Sequence, residues 1–129
     1  MILKVDKVII NSSTTGSFQR TLNRSVTCSG VGLHSGEEVS LTLYPGEVDT
    51  GIVFQRTDVE IDRSIIYATW DNVVDTRFCS TIGNDFQVTV ATVEHLMAAL
   101  SGCGVDNALI KINGPEVPIM DGSSGPFVF

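Results

Sequence analysis

Basic residues are scarce: eight Lys and Arg stand against fifteen Asp and Glu, for a formal net charge of −7. They are also scattered, so the chain lacks the clustered cationic footprint that phosphate recognition needs, and nucleic acid is not an expected partner. Cysteine is sparse too. Cys28, Cys79 and Cys103 are odd in number and make no CxxC pair, which excludes a disulfide framework and a cysteine zinc site. They read as reduced, small buried hydrophobes in a cytoplasmic protein. No apolar run approaches the roughly 20 residues that span a bilayer as a helix. Met1 to Ile10 alternates apolar and charged residues, unlike the basic start and unbroken apolar block of a signal peptide. Histidine is nearly absent, with only His34 and His95. A catalytic zinc site takes three protein ligands and an open position, and this sequence by itself does not spell out such a set.

What is present is a chain of 129 residues, 43% hydrophobic, which suits one domain with a substantial core. The polar stretch Asn11 to Ser17 reads as a loop. It divides the chain into an N-terminal extension with a short strand, residues 1–17, and a main domain, residues 18–129. Period-two alternation predicts strands over 20–31, 38–43, 51–56, 64–70, 76–82 and 107–112. Gly83-Asn84-Asp85 predicts a hairpin turn into a further strand over 86–91. Pro115 and Pro118 bracket an extended piece, and residues 121–125 read as a turn. The apolar ending Pro126 to Phe129 either docks on the domain or marks a cut. Many strands with one clear helix predict an α+β fold: a mainly antiparallel sheet with a helix packed on one face, a two-layer sandwich.

That helix is predicted over 92–100, with Thr92 as N-cap and Gly102 and Gly104 past its end. Val93, Leu96, Met97 and Leu100 form an apolar stripe, leaving Glu94, His95, Ala98 and Ala99 on the face away from it. An acid, an imidazole and two methyl groups in place of the usual lysines make this face look like the wall of a cleft. The positive end of a helix dipole favours a carboxylate and disfavours an imidazolium. Those are the protonation states of a general base and of a metal ligand. A first-turn glutamate can also serve the dipole alone, and a lone histidine can be an ordinary satisfied residue. The second glycine-rich feature, Gly30 to Gly36, is GxGxxxG and not a dinucleotide or P-loop fingerprint, since a strand follows it. It reads as a tight, bulged turn with His34 at its tip, either reaching into a site or without a role.

Five blocks then occur in order: 19–22 (QRTL), 30–36 (GVGLHSG), 49–54 (DTGIVF), 92–100 (TVEHLMAAL) and 115–123 (PEVPIMDGS). Together they resemble the family of UDP-3-O-acyl-N-acetylglucosamine deacetylase, the zinc enzyme that commits Gram-negative bacteria to lipid A synthesis, over about residues 18–129. That family is built from two similar α+β domains facing each other across the active site, and this chain is similar to the first. The resemblance implies that His95 is the first-domain zinc ligand and Glu94 the general base that takes a proton from water. It implies that His34, Phe78 and Cys79 contact substrate, the last two from a strand over 76–81 that lies beside the metal. Arg77 departs from the family pattern there, and Asp121 is implied to be structural. The other zinc ligands, a histidine and an aspartate, and the lysine and histidine that stabilise the oxyanion and the leaving amine, belong to the second domain.

The implied function is therefore zinc-dependent hydrolysis of the N-acetyl group of UDP-3-O-acyl-N-acetylglucosamine in the cytoplasm. This chain would supply the first-domain part, inactive without its second-domain partner. The alternative is a non-catalytic interaction module that keeps the fold and uses the small-residue helix face as an interface.

Overall fold

The computed structural model describes residues 5–9 and 18–119. The expected turn at Asp121 and the apolar ending lie outside these residues. The strands are β1 Val5–Ile9, β2 Phe18–Leu22, β3 Val26–Gly32, β4 Glu38–Pro45, β5 Ile52–Arg56 and β6 Ile65–Tyr67, followed by β7 Val73–Asp75, β8 Thr81–Gly83 and β9 Thr89–Ala91. Helix α1, Glu94–Gly102, follows, then β10 Ala108–Ile112 and β11 Pro118–Ile119.

Six strands form the main sheet in the order β11-β3-β4-β10-β5-β6. Every neighbouring pair is antiparallel except β10 and β5, which run parallel with Ala108 opposite Ile52. Strands β7, β8 and β9 make a second, smaller sheet, and β1 pairs antiparallel with β2 from Val5 opposite Leu22 to Ile9 opposite Phe18. The alternation in the sequence explains the main sheet. In β4, Val39, Leu41 and Leu43 are buried while Ser40 and Thr42 are not, and β10 buries Ala108, Ile110 and Ile112 on the same principle. These side chains form one core with Phe54, Ile66 and the helix residues Val93, Leu96, Ala99 and Leu100. On the opposite face, Thr27 bonds to Thr42 at 2.9 Å and Ser29 to Ser40 at 2.7 Å, polar pairs suited to a solvated surface. The architecture is α+β, two layers with the helix on one face.

Several boundaries differ from the sequence expectation. The run 20–31 is broken after Leu22, and 64–70 holds strand only at Ile65–Tyr67, followed by a 3-10 turn at Trp70–Asn72. The strand expected over 76–82 is not formed as such: 76–80 is irregular, with β7 before it and β8 after. Arg77 turns back onto Asp75, with Nε at 3.2 Å and an Nη at 2.9 Å from its carboxylate oxygens. This local ion pair competes with a ladder and holds the Asp75 carboxyl down at about 2. Of the cysteines only Cys28 is buried, which pushes its thiol up; Cys79 and Cys103 are half-buried.

The helix begins one residue later than an N-cap at Thr92 predicts, and Thr92 is not its N-cap. Val93 occupies that position with no side-chain cap bond. Thr92 instead adopts φ 61°, a left-handed conformation that is costly for a β-branched residue. Ala99, expected on the open face, is buried and belongs to the core cluster.

Candidate functional site

Three segments converge where the helix begins. A parallel bridge sets Ala91 beside Glu116: Ala91 N–H donates to Pro115 O at 2.8 Å, and Val117 N–H to Ala91 O at 3.0 Å. The β11–β3 pairing then places Pro118 opposite Gly32. Gly32 N–H bonds to Glu37 O, and Gly36 N–H to Gly32 O, each at 2.9 Å, closing the glycine turn as the sequence predicted. Glu116 therefore lies where the glycine turn, the helix entry and the 115–119 segment meet.

Glu116 is a buried anion, 3% exposed. His34 N–H donates to both its oxygens, at 3.0 and 3.1 Å, and Ser35 N–H to Oε1 at 3.0 Å. The Thr92 hydroxyl donates to Oε2 at 2.7 Å, and His34 Nδ1 lies 2.6 Å from the same atom. Burial alone pushes this carboxyl up; the bonds from Ser35, Thr92 and His34 outweigh it and hold it down at about 2. Gly32 makes room for the carboxylate, since a Cβ there would collide with Glu116 Oε1 and Ser35 Oγ. The bond to a buried anion also offsets the backbone strain at Thr92.

Glu94 and His95 stand on the first turn of α1, two and three residues beyond Thr92. Both are half-buried. Glu94 Oε2 accepts from Ser80 N–H at 3.1 Å, and Val93 N–H donates to Ser80 O at 3.2 Å, so the helix entry and the strand edge before β8 hold each other. The His95 ring makes no hydrogen bond among the described residues. Glu94 opens on a cavity of about 290 Å³ walled mainly by apolar groups, including Ala68, Trp70, Ile82 and Met97. Trp70 is 88% and Phe78 84% exposed. A larger hollow of about 510 Å³ lies over β3 and β4 around Ser29, Ser40 and Asn113, and neither histidine nor Glu94 lines it.

The structure thus gathers the expected residues into two groups. Glu94, His95 and Ser80, with neighbouring Cys79, sit at the helix entry, where the half-buried Cys79 thiol contacts the Thr81 hydroxyl at 3.7 Å. His34 belongs to the Glu116 cluster. Sequence reasoning missed Glu116 and the true role of Thr92. The available signal was an acid set between Pro115 and the apolar Val117-Pro118-Ile119 run, where an unpaired charge is costly. The donor set at His95, an unbonded imidazole beside a carboxylate, suits one ligand position of a metal site. Among the described residues no group of three His, Cys, Asp or Glu could hold a metal ion.

The family described as "LpxC: UDP-3-O-acyl N-acetylglycosamine deacetylase" matches residues 19–129. The chain belongs to this family. It is 57% identical over 111 residues to the UDP-3-O-acyl-N-acetylglucosamine deacetylase of Geobacter sp. (strain M21), covering 86% of this chain and 36% of that protein. The protein of the same name from Geotalea uraniireducens (strain Rf4) is 56% identical over 112 residues, 87% of this chain and 36% of that protein. That of Shewanella frigidimarina (strain NCIMB 400) is 51% identical over 112 residues, with the same coverage of 87% and 36%. The chain therefore spans 36% of the length of these deacetylases, and Glu94, His95 and the Glu116 cluster all fall within the stretch matched to the family.

Proposed function

We propose that residues 18–129 form the first of two facing domains of a zinc-dependent deacetylase that removes the N-acetyl group of UDP-3-O-acyl-N-acetylglucosamine in the cytoplasm. The observation that carries this reading is the helix entry. A carboxylate positioned by Ser80 N–H and facing an apolar-walled opening is followed on the same helix turn by an imidazole with no hydrogen-bond partner among the described residues, in a chain of the deacetylase family.

His95 would hold the zinc, which when bound supplies Lewis-acid polarisation of a carbonyl oxygen. Glu94, aimed by Ser80 N–H, takes a proton from the water that attacks the acetamide carbon. The C–N bond then breaks as the nitrogen takes up a proton, balancing the one lost by the water, and acetate and the free amine leave. His34, Phe78 and Cys79 contact substrate. The exposed Trp70 ring joins Ala68, Ile82 and Met97 in giving the opening beside Glu94 an apolar wall.

Acetate release from UDP-3-O-acyl-N-acetylglucosamine by the full-length protein carrying this chain tests the reading, together with its zinc content. The expected result is turnover that requires zinc and is lost in both Glu94→Gln and His95→Ala. A full-length protein that folds, binds zinc and releases no acetate would overturn it. The 129-residue chain, with one ligand of three, is expected to give no tight stoichiometric zinc binding by calorimetry. Tight binding with turnover by this chain alone would overturn the assignment of the remaining ligands to a second domain.

A further inference from the structure

We propose that Glu116 is a positioning residue: it places a proton on His34 Nδ1, leaving Nε2 as the ring nitrogen that meets a ligand, and through Thr92 it fixes the turn that launches Glu94 and His95. The geometry carries this in three steps. First, both Glu116 oxygens are already acceptors, from His34 N–H, Ser35 N–H and the Thr92 hydroxyl. A carboxylate with its lone pairs so engaged has no proton to give, so the 2.6 Å contact with His34 requires Nδ1 to be the donor. The low pKa of Glu116, about 2, agrees. Second, the His34 side chain is 44% exposed while that of Glu116 is 4% exposed. The carboxylate is thus behind the ring, and Nε2 has no bond among the described residues. A carboxylate behind a histidine that fixes its ring orientation and tautomer is the usual outer support of a functional imidazole. Third, the same oxygen that holds Nδ1 accepts from Thr92, two residues before Glu94. One buried anion therefore ties the glycine turn to the helix entry, 82 and 24 residues away in sequence.

The first test is spectroscopic and needs no variant. Nitrogen-15 spectra of His34 in the full-length protein should show a protonated Nδ1 hydrogen-bonded to a carboxylate. A neutral ring with its proton on Nε2 and a bare Nδ1 overturns the proposal. The second test is Glu116→Gln, compared at equal fold and zinc content. One amide oxygen cannot serve all these donors, and the amide N–H₂ would face them. The Nδ1 signature should disappear and kcat/KM should fall about 10- to 100-fold, the range for losing the outer partner of a functional histidine. Glu116→Asp, which keeps the anion, should restore part of both. A folded Glu116→Gln protein with the wild-type His34 spectrum and activity within about twofold of wild type overturns the proposal. If that variant does not fold, the wild-type spectrum decides. The kinetic arm rests on the deacetylase reading: no turnover by wild type defeats that reading, whereas turnover indifferent to Glu116 defeats this one. The spectrum tests this proposal without relying on the deacetylase reading.

Discussion

The chain has two histidines, each with a glutamate as companion, and the two pairs are built in opposite ways. Glu116 and His34 form a finished cluster, with a buried carboxylate bonded to His34, Ser35 and Thr92. Among the described residues Glu94 and His95 are unfinished: the carboxylate has one backbone donor, Ser80, and the imidazole has no partner. Satisfied bonds stabilise a fold, while a half-buried polar group without a protein partner has bonding capacity left for something else. On the proposed reading, Glu116 supports the site through His34 and Thr92, while Glu94 and His95 are the groups that react.

The sharpest way to break that contrast is Glu94→Gln. Loss of a general base predicts a fall in kcat of about 10²- to 10⁴-fold, with little change in melting temperature because only one hydrogen bond is altered. Acetate-release kinetics and calorimetry on the same preparation check both halves. A variant that melts early but turns over normally would reverse the roles assigned to the two pairs.

Acid should act through the other pair. Glu116 is held at about 2, below its ordinary 4.5, so it contributes stability that is fully present above about pH 4.5. That contribution is lost as pH falls from there towards 2. The full shift corresponds to about 3 kcal/mol. Urea unfolding at pH 6 and pH 3 should show the loss, and Glu116→Gln should flatten it. An equally steep acid loss in that variant would assign the effect elsewhere.

Gly32→Ala tests the packing around the same carboxylate. The added methyl meets Glu116 Oε1 and Ser35 Oγ, and overpacking of this kind costs about 1–3 kcal/mol. Thermal unfolding measures it; a neutral substitution would mean that the carboxylate sits more loosely than its bonds imply. The smallest expected effect on stability is at the reactive end. Phe78 is 84% exposed, so Phe78→Ala should alter stability by no more than about 0.5 kcal/mol. A contact with substrate would instead raise KM several-fold, and an unchanged KM would remove Phe78 from the site.

The sequence carried much of this, unevenly. The alternation in 38–43 and 107–112 was legible because each strand has one buried face. The stretch 76–82 misled because alternation counts side chains and is blind to a two-residue clasp such as Asp75 with Arg77. Thr92 misled for a related reason. A threonine before a helix is usually a cap, but here its hydroxyl has a stronger acceptor in Glu116, and the backbone bends to φ 61° to reach it.

By itself, then, the sequence determined what depends on neighbours within a turn or a pleat: the strand faces, the closed glycine turn, and an acid beside an imidazole at a helix entry. Only the tertiary structure decided which glutamate would be buried and which histidine would have no bond among the described residues. A buried charge is tolerated only where donors surround it. The donors for Glu116 come from His34, Ser35 and Thr92, 82, 81 and 24 residues away, a distance that no local pattern spans.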